Sequence, residues 1–194
     1  LVSDCQAEKE LLARARNCPE AFGRLYDQNY SAILNYCIRR TGDVELAQDI
    51  TAETFVKALK NIGRFQWRSV GSFSAWLYRI AGNELADCFR KGASREVSLE
   101  YLRESQGFEP VALHELEAEL IAAQETLARH QEFLACRQEI SLLPLKYQEV
   151  IALRFFAGKS HKEMAEVLGK PEGTVKSLLH RGLEKLRNQQ SKKC

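Results

Sequence analysis

Lys176, Ser177, His180 and Arg181 fall one, four and five positions apart near the end of the chain, so on a helix they share one polar face. Lysine and arginine can reach guanine acceptors or phosphate, and serine and histidine are permissive donors. Such a face can read base edges in a major groove if something holds it there. Upstream, Ser160-His161-Lys162-Glu163 is a capping-box pattern, in which the serine hydroxyl accepts from a free amide while the glutamate reaches back. Met164, Ala165, Val167 and Leu168 supply an apolar face, with Ala165 small enough to let a second helix cross closely. Gly169 can end the first helix in the left-handed region and Pro171 can open the next. Val175, Leu179, Leu183 and Leu186 then line an inner face at helical spacing. Cap, turn, crossing residue and donor-rich outer face agree on a helix-turn-helix. A solvated surface hairpin would explain the basic face but not that agreement.

The elements ahead of this motif follow the glycine and proline punctuation. A first amphipathic helix is expected from about Cys5 to Arg16, and Pro19 opens a second carrying Phe22, Leu25, Tyr26, Ile33, Leu34 and Tyr36. Thr41-Gly42-Asp43 reads as a turn with Asp43 as cap. A third helix is expected from Val44 to about Asn61, with Leu46, Ile50, Phe55 and Leu59 at helical spacing. Gly63 to Ser72 is a loop containing Arg64-Phe65-Gln66-Trp67-Arg68, and Phe73 starts a fourth helix running to Lys91. With only 4 Pro and 11 Gly in 194 residues, the expected class is all-α, with room for one or two cores.

Charge divides the chain into three. Residues 1–95 hold 14 basic and 11 acidic side chains, a net +3; residues 96–139 hold 3 and 10, a net −7; Pro144 to Cys194 hold 11 and 5, a net +6. Two basic ends around an acidic middle suggest two nucleic-acid-facing domains and a connector with a different task. Cys5, Cys18, Cys37, Cys88, Cys136 and Cys194 are scattered, which fits reduced packing thiols rather than a disulfide or zinc framework. His130 and Cys136 lack further ligands at metal spacing, so no metal and no cofactor are expected. No apolar run approaches membrane-spanning length and no start resembles a secretion signal; a cytoplasmic protein without membrane insertion is expected.

Three motifs stand in order along the chain: Asp49-Ile50-Thr51-Ala52-Glu53-Thr54-Phe55-Val56-Lys57-Ala58-Leu59, then Trp76-Leu77-Tyr78-Arg79-Ile80-Ala81-Gly82-Asn83, then Gly173-Thr174-Val175-Lys176-Ser177. Together they resemble the bacterial RNA polymerase sigma factors of the extracytoplasmic-function group, over nearly all of the first and third segments. The resemblance implies a subunit that joins core RNA polymerase, directs it to promoters and helps open the duplex. It implies core polymerase and promoter DNA as partners, and an anti-sigma factor such as the family often has. It divides the chain into a region 2-like domain at 1–95, the acidic and largely helical connector at 96–139, and a region 4-like helix-turn-helix domain at 140–194.

The resemblance also assigns roles. Asp49 and Glu53, four apart on one helical face, correspond to the polymerase-docking helix and suit arginine on a partner, while Ile50 and Phe55 are expected in the core. Arg64, Trp67, Arg68, Arg79 and Asn83 correspond to the reader of the unstacked −10 element, where a base leaving the duplex needs a flat surface and cations for its phosphates. Arg79 and Asn83 are expected to face the same side, and Trp76 to pack inward with Leu77 and Ile80. Lys176, Ser177, His180 and Arg181 correspond to the −35 contacts. The chain departs from the family at Trp67, where phenylalanine is usual, at Leu178, where many relatives carry arginine, and at Gly182, where alanine is more usual and glycine weakens the helix slightly.

In the connector, Leu113, Leu116, Leu120, Ala123, Leu127, His130 and Leu134 form a heptad-like seam. It is expected to pack on the chain's own domains rather than form a partner surface. Its acidic side chains are expected to be drawn toward the DNA-facing surfaces of the free protein. A competing function, a helix-turn-helix regulator with an effector module in residues 1–95, explains only the tail and requires a ligand pocket at the front. An enzyme is not expected: the sequence has no Gly-rich phosphate loop, metal cluster or triad-like arrangement.

Overall fold

The computed structural model describes residues 2–69, 71–92 and 133–191, and every regular element among them is helical. The first four helices are α1 (Val2–Ala15), α2 (Pro19–Thr41), α3 (Val44–Asn61) and α4 (Ser72–Gly92), with a 3-10 turn at Ile62–Arg64. Pro19 occupies the first turn of α2, where its missing N–H costs nothing. Gly42 ends α2 at φ 72°, its amide donating to Ile38 O at 2.7 Å. Asp43 then caps α3, accepting from the Leu46 amide at 3.0 Å. Two punctuating residues thus start α3 at once, and it packs on α2 and α4.

The faces that meet are apolar and closely spaced. Leu25, Ile33 and Cys37 of α2, Ala47 and Ala58 of α3, and Leu77, Ala81 and Leu85 of α4 are all buried. Thr51 and Thr54 are fully buried too, and their hydroxyls donate to Ala47 O and Ile50 O at 2.7 Å, satisfied within α3 itself. Burial pushes the Cys37 thiol up to about 11, which suits packing rather than reaction. Leu59, whose spacing places it with the inward residues, is instead 51% exposed. It stands on the exposed outer stripe of α3 with Glu53 and Val56, while its neighbour Ala58 is the buried one.

The last helices are α5 (residues 133–141), α6 (Leu145–Phe155), α7 (His161–Leu168) and α8 (Glu172–Gln190). Gln148 ties the α5–α6 turn together, donating to Ser141 O at 3.0 Å and Leu143 O at 2.7 Å. Val150, Ile151 and Leu153 of α6, Met164 and Val167 of α7, and Val175 and Leu179 of α8 form the inner surface. Leu183, expected in the same row, is 40% exposed. The buried position beside it is Gly182, where α8 meets Ile151 and Tyr147 of α6.

The two groups of helices touch through α4 and α7. Arg79 of α4 donates through Nε to Val167 O at 2.7 Å and through Nη2 to Glu166 O, supplying partners for carbonyls that the end of α7 leaves open. Lys159 sits over the Tyr78 ring at 4.6 Å, Arg40 donates to Gln148 Oε1 at 3.4 Å, and Arg137 donates to Thr41 O. The connector seam from Leu113 to His130 lies outside the described residues, as do the carboxylates expected to be drawn to the basic faces. Among the described residues, no helix is long and apolar enough to cross a membrane.

Candidate nucleic-acid interface

The helix-turn-helix is built as its sequence requires. Ser160 Oγ accepts from the Glu163 amide at 3.3 Å, and the Glu163 carboxylate accepts from Ser160 N at 2.8 Å and Oγ at 2.6 Å. The Ser160 hydroxyl bond holds the Glu163 carboxyl below the usual range, and the Ser160 amide and Lys159 add to it against the opposing effect of burial. Gly169 closes α7 at φ 62°. α8 begins at Glu172, directly after Pro171.

With Val175 and Leu179 turned inward, Lys176, Ser177, His180 and Arg181 are all exposed on the other side. The face is organised by short-range contacts. Lys176 pairs with Glu172 at 2.9 Å, Ser177 Oγ donates to Gly173 O at 2.9 Å, and His180 Nε2 lies 3.4 Å from Glu184 Oε1. Ion pairs exposed in this way are weak and readily exchanged. Arg181 is exposed beside His180 on the outer face.

A second polar surface lies between α3 and α4. A cavity of about 370 Å³ is lined by Lys57 and Asn61 of α3, Arg64 and Phe65 after it, and Trp76, Ile80, Asn83 and Glu84 of α4. Phe65 and Trp76 are its aromatic lining, packed on each other with ring centroids 4.9 Å apart. Lys57 Nζ reaches Glu84 Oε1 at 2.6 Å and Glu53 Oε1 at 3.6 Å. The Glu84 hydrogen bond raises the Lys57 ammonium above its ordinary range.

The residues expected at this surface separate. Arg64 and Asn83 line the cavity together, and Arg68 is exposed on the loop nearby in sequence. Trp67 stands apart from the lining, half-buried with Lys9 of α1 over its ring at 5.6 Å. Arg79 does not share Asn83's side: it points to α7. Trp76, expected in the core, is half-buried and supplies part of the cavity lining. Lys57, Asn61 and Arg64 follow at helical spacing, a polar stripe that could have marked the cavity in the sequence. The loop's anchors could not have been found that way. Arg16 donates to Phe65 O at 2.8 Å and Glu8 accepts from the Gly71 amide at 3.1 Å, across 49 and 63 residues.

On the outer side of α3, Asp49 and Glu53 are exposed on one stripe with Val56 and Leu59. The two apolar residues, absent from the expected docking site, give the acidic face something to bury.

Residues 25–95 match the family model for Sigma-70 region 2, and residues 134–186 match that for Sigma-70, region 4. The extracytoplasmic-function RNA polymerase sigma factor BldN of Streptomyces coelicolor is 35% identical over 185 residues, covering 95% of this chain and 66% of that protein. The corresponding SigW of Bacillus subtilis is 34% identical over 171 residues, covering 88% of this chain and 89% of that protein. The chain belongs to the extracytoplasmic-function sigma factors. Residues 25–95, which the competing reading gave to an effector module, are sigma region 2, and the protein is a transcription initiation factor that directs RNA polymerase to promoters. The fold is similar to that of CnrH, solved with the cytosolic domain of CnrY, at a TM-score of 0.66 and 22% identity over 97% of this chain and 99% of that one. It is also similar to RpoE of Bartonella quintana, solved with the anti-sigma factor NepR, at a TM-score of 0.55 and 21% identity over 86% and 94% of the two chains.

Proposed function

We propose that this sigma factor reads promoters with two surfaces and docks on polymerase with a third. Lys176, Ser177, His180 and Arg181 on α8 enter the major groove of the −35 element. Residues 1–95 receive the unstacked −10 strand, with Arg64 and Asn83 at the α3–α4 cavity, Trp67 and Arg68 on the loop, and Arg79 once α7 releases it. The exposed α3 stripe, Asp49 and Glu53 with Val56 and Leu59, meets core RNA polymerase. Residues 96–139 join the two reading domains, of which the second spans 140–194. The role is non-catalytic, it is carried out in the cytoplasm, and an anti-sigma factor is its regulator, as NepR is named for RpoE.

The observation that carries this reading is α8 itself, a helix whose apolar side is buried by α6 and α7 while a run of donors faces solvent. Mixing the purified chain with core RNA polymerase tests it. Co-purification and transcripts that start only at particular sequences are expected. A complex that initiates no better than core alone would overturn it.

A further inference from the structure

Resting on the reading that residues 1–95 receive an unpaired strand, we propose that Glu84, held by Lys57, selects adenine or cytosine by its Watson–Crick edge in the α3–α4 cavity. A carboxylate repels phosphate, so its place among DNA-facing cations calls for a reason. The Glu84 side chain is 17% exposed against 40% for Lys57, so the acid is set inward and the ammonium lies at the mouth.

The pair presents a donor and an acceptor side by side. Lys57 engages Glu84 Oε1 at 2.6 Å, which leaves the carboxylate further lone pairs to accept an N–H and the ammonium a further proton to donate. Cytosine and adenine each carry an exocyclic amine beside an unprotonated ring nitrogen. The amine donates to Glu84 and the ring nitrogen accepts from Lys57. Where thymine presents O4 beside N3–H and guanine O6 beside N1–H, the edge is inverted, which sets oxygen against carboxylate and N–H against ammonium. Trp76 and Phe65, packed on each other in the lining, bring aromatic surface against which any base can stack. Stacking therefore supplies affinity, and the Lys57–Glu84 pair supplies the choice. Asn83, on the same lining, offers an amide that suits every base and so does not decide between them.

The test uses the full chain bound to core RNA polymerase and a pool of bubble templates. The pool is randomised in the upstream duplex and in the non-template strand of the bubble. Wild type is expected to enrich adenine or cytosine over guanine and thymine about tenfold at one bubble position, and the base enriched there separates the two. Glu84→Gln is isosteric, and its amide can donate to a carbonyl. It is expected to lose or reverse the preference at that position alone, with an unchanged melting temperature. A preference retained in Glu84→Gln overturns the proposal. So does a loss spread evenly over all bubble positions, which marks an ion pair that only holds α3 to α4. Failure of the underlying reading looks different: wild-type holoenzyme then enriches no sequence in bubble or duplex, and the proposal falls with it.

Discussion

A Cβ added at Gly182 would stand 3.2 Å from Ile151 Cδ1 and 3.4 Å from Tyr147 Cβ. In sequence this glycine reads only as a weak point in α8, because the neighbours that require it lie on α6. Gly182→Ala gains about 1 kcal/mol of helix propensity but must displace a buried isoleucine. The expected result is a smaller gain, or none, in the wild-type background. Most of the propensity gain should return in Ile151→Val, which removes the crowding methyl. Thermal or urea unfolding of the four proteins in a double-mutant cycle measures that coupling. The exposure of Arg181 and Lys176 was legible because the helical period alone sets which face they share. Replacing either with Ala is expected to cost about 1–3 kcal/mol where the side chain contacts a base, with relaxed preference at that base pair. A uniform loss with a shallower salt dependence assigns the residue to phosphate instead. Promoter binding across a salt series distinguishes the two.

At the scale of the element, local chemistry fixed most boundaries. Pro19, Gly42, Asp43, Ser160 and Gly169 act on the backbone within four residues, and α2, α3 and α7 begin or end at them. Ser160→Ala is expected to cost about 1 kcal/mol of stability, read by thermal unfolding. The Glu163 half of the box adds a pH dependence. Its carboxyl is lowered in the folded chain, so its contribution is complete above the ordinary carboxylate range and is lost as pH falls through the lowered value. Unfolding scans from pH 7 to pH 3 should therefore show a smaller acid loss in Glu163→Ala than in wild type, and a modest difference, since the side chain is half exposed. The faces of helices were less legible than their ends. Leu59 and Leu183 fit the apolar period yet lie outside, because mixed three- and four-residue steps leave the edge of the buried face open by a residue, and Ala58 and Gly182, one position earlier, are the buried ones. On α3 that exposure favours docking. Asp49→Arg with Glu53→Arg is expected to abolish core polymerase binding with the fold intact, which a pull-down beside a circular dichroism spectrum would show.

For the whole molecule, the contact between α4 and α7 had no signal in the sequence, since it joins residues almost ninety positions apart. The charge pattern indicated attraction between segments, but the described contact runs through backbone carbonyls, which composition does not reveal. Glu149 of α6 belongs to the same interface, its Oε1 3.4 Å from a Cβ placed at Gly82. Burial raises its carboxyl, with Arg40 and Lys170 opposing. The closed arrangement therefore favours the protonated acid and weakens as pH rises through that raised value. Glu149→Gln is expected to keep the two halves together at neutral pH and to flatten the dependence. Small-angle scattering of the free protein from pH 5 to pH 8 would report it as a smaller and constant radius of gyration.

Arg79 has one guanidinium and two proposed uses. While it donates to the carbonyls of Glu166 and Val167, it is withheld from a promoter strand. Release of α7 and capture of DNA at α4 are thus linked equilibria, and each must favour the other by the same factor. The apparent affinity of the free chain for the −10 strand is its intrinsic affinity scaled by the fraction of molecules already open. Whatever enlarges that fraction sharpens promoter recognition without touching a base.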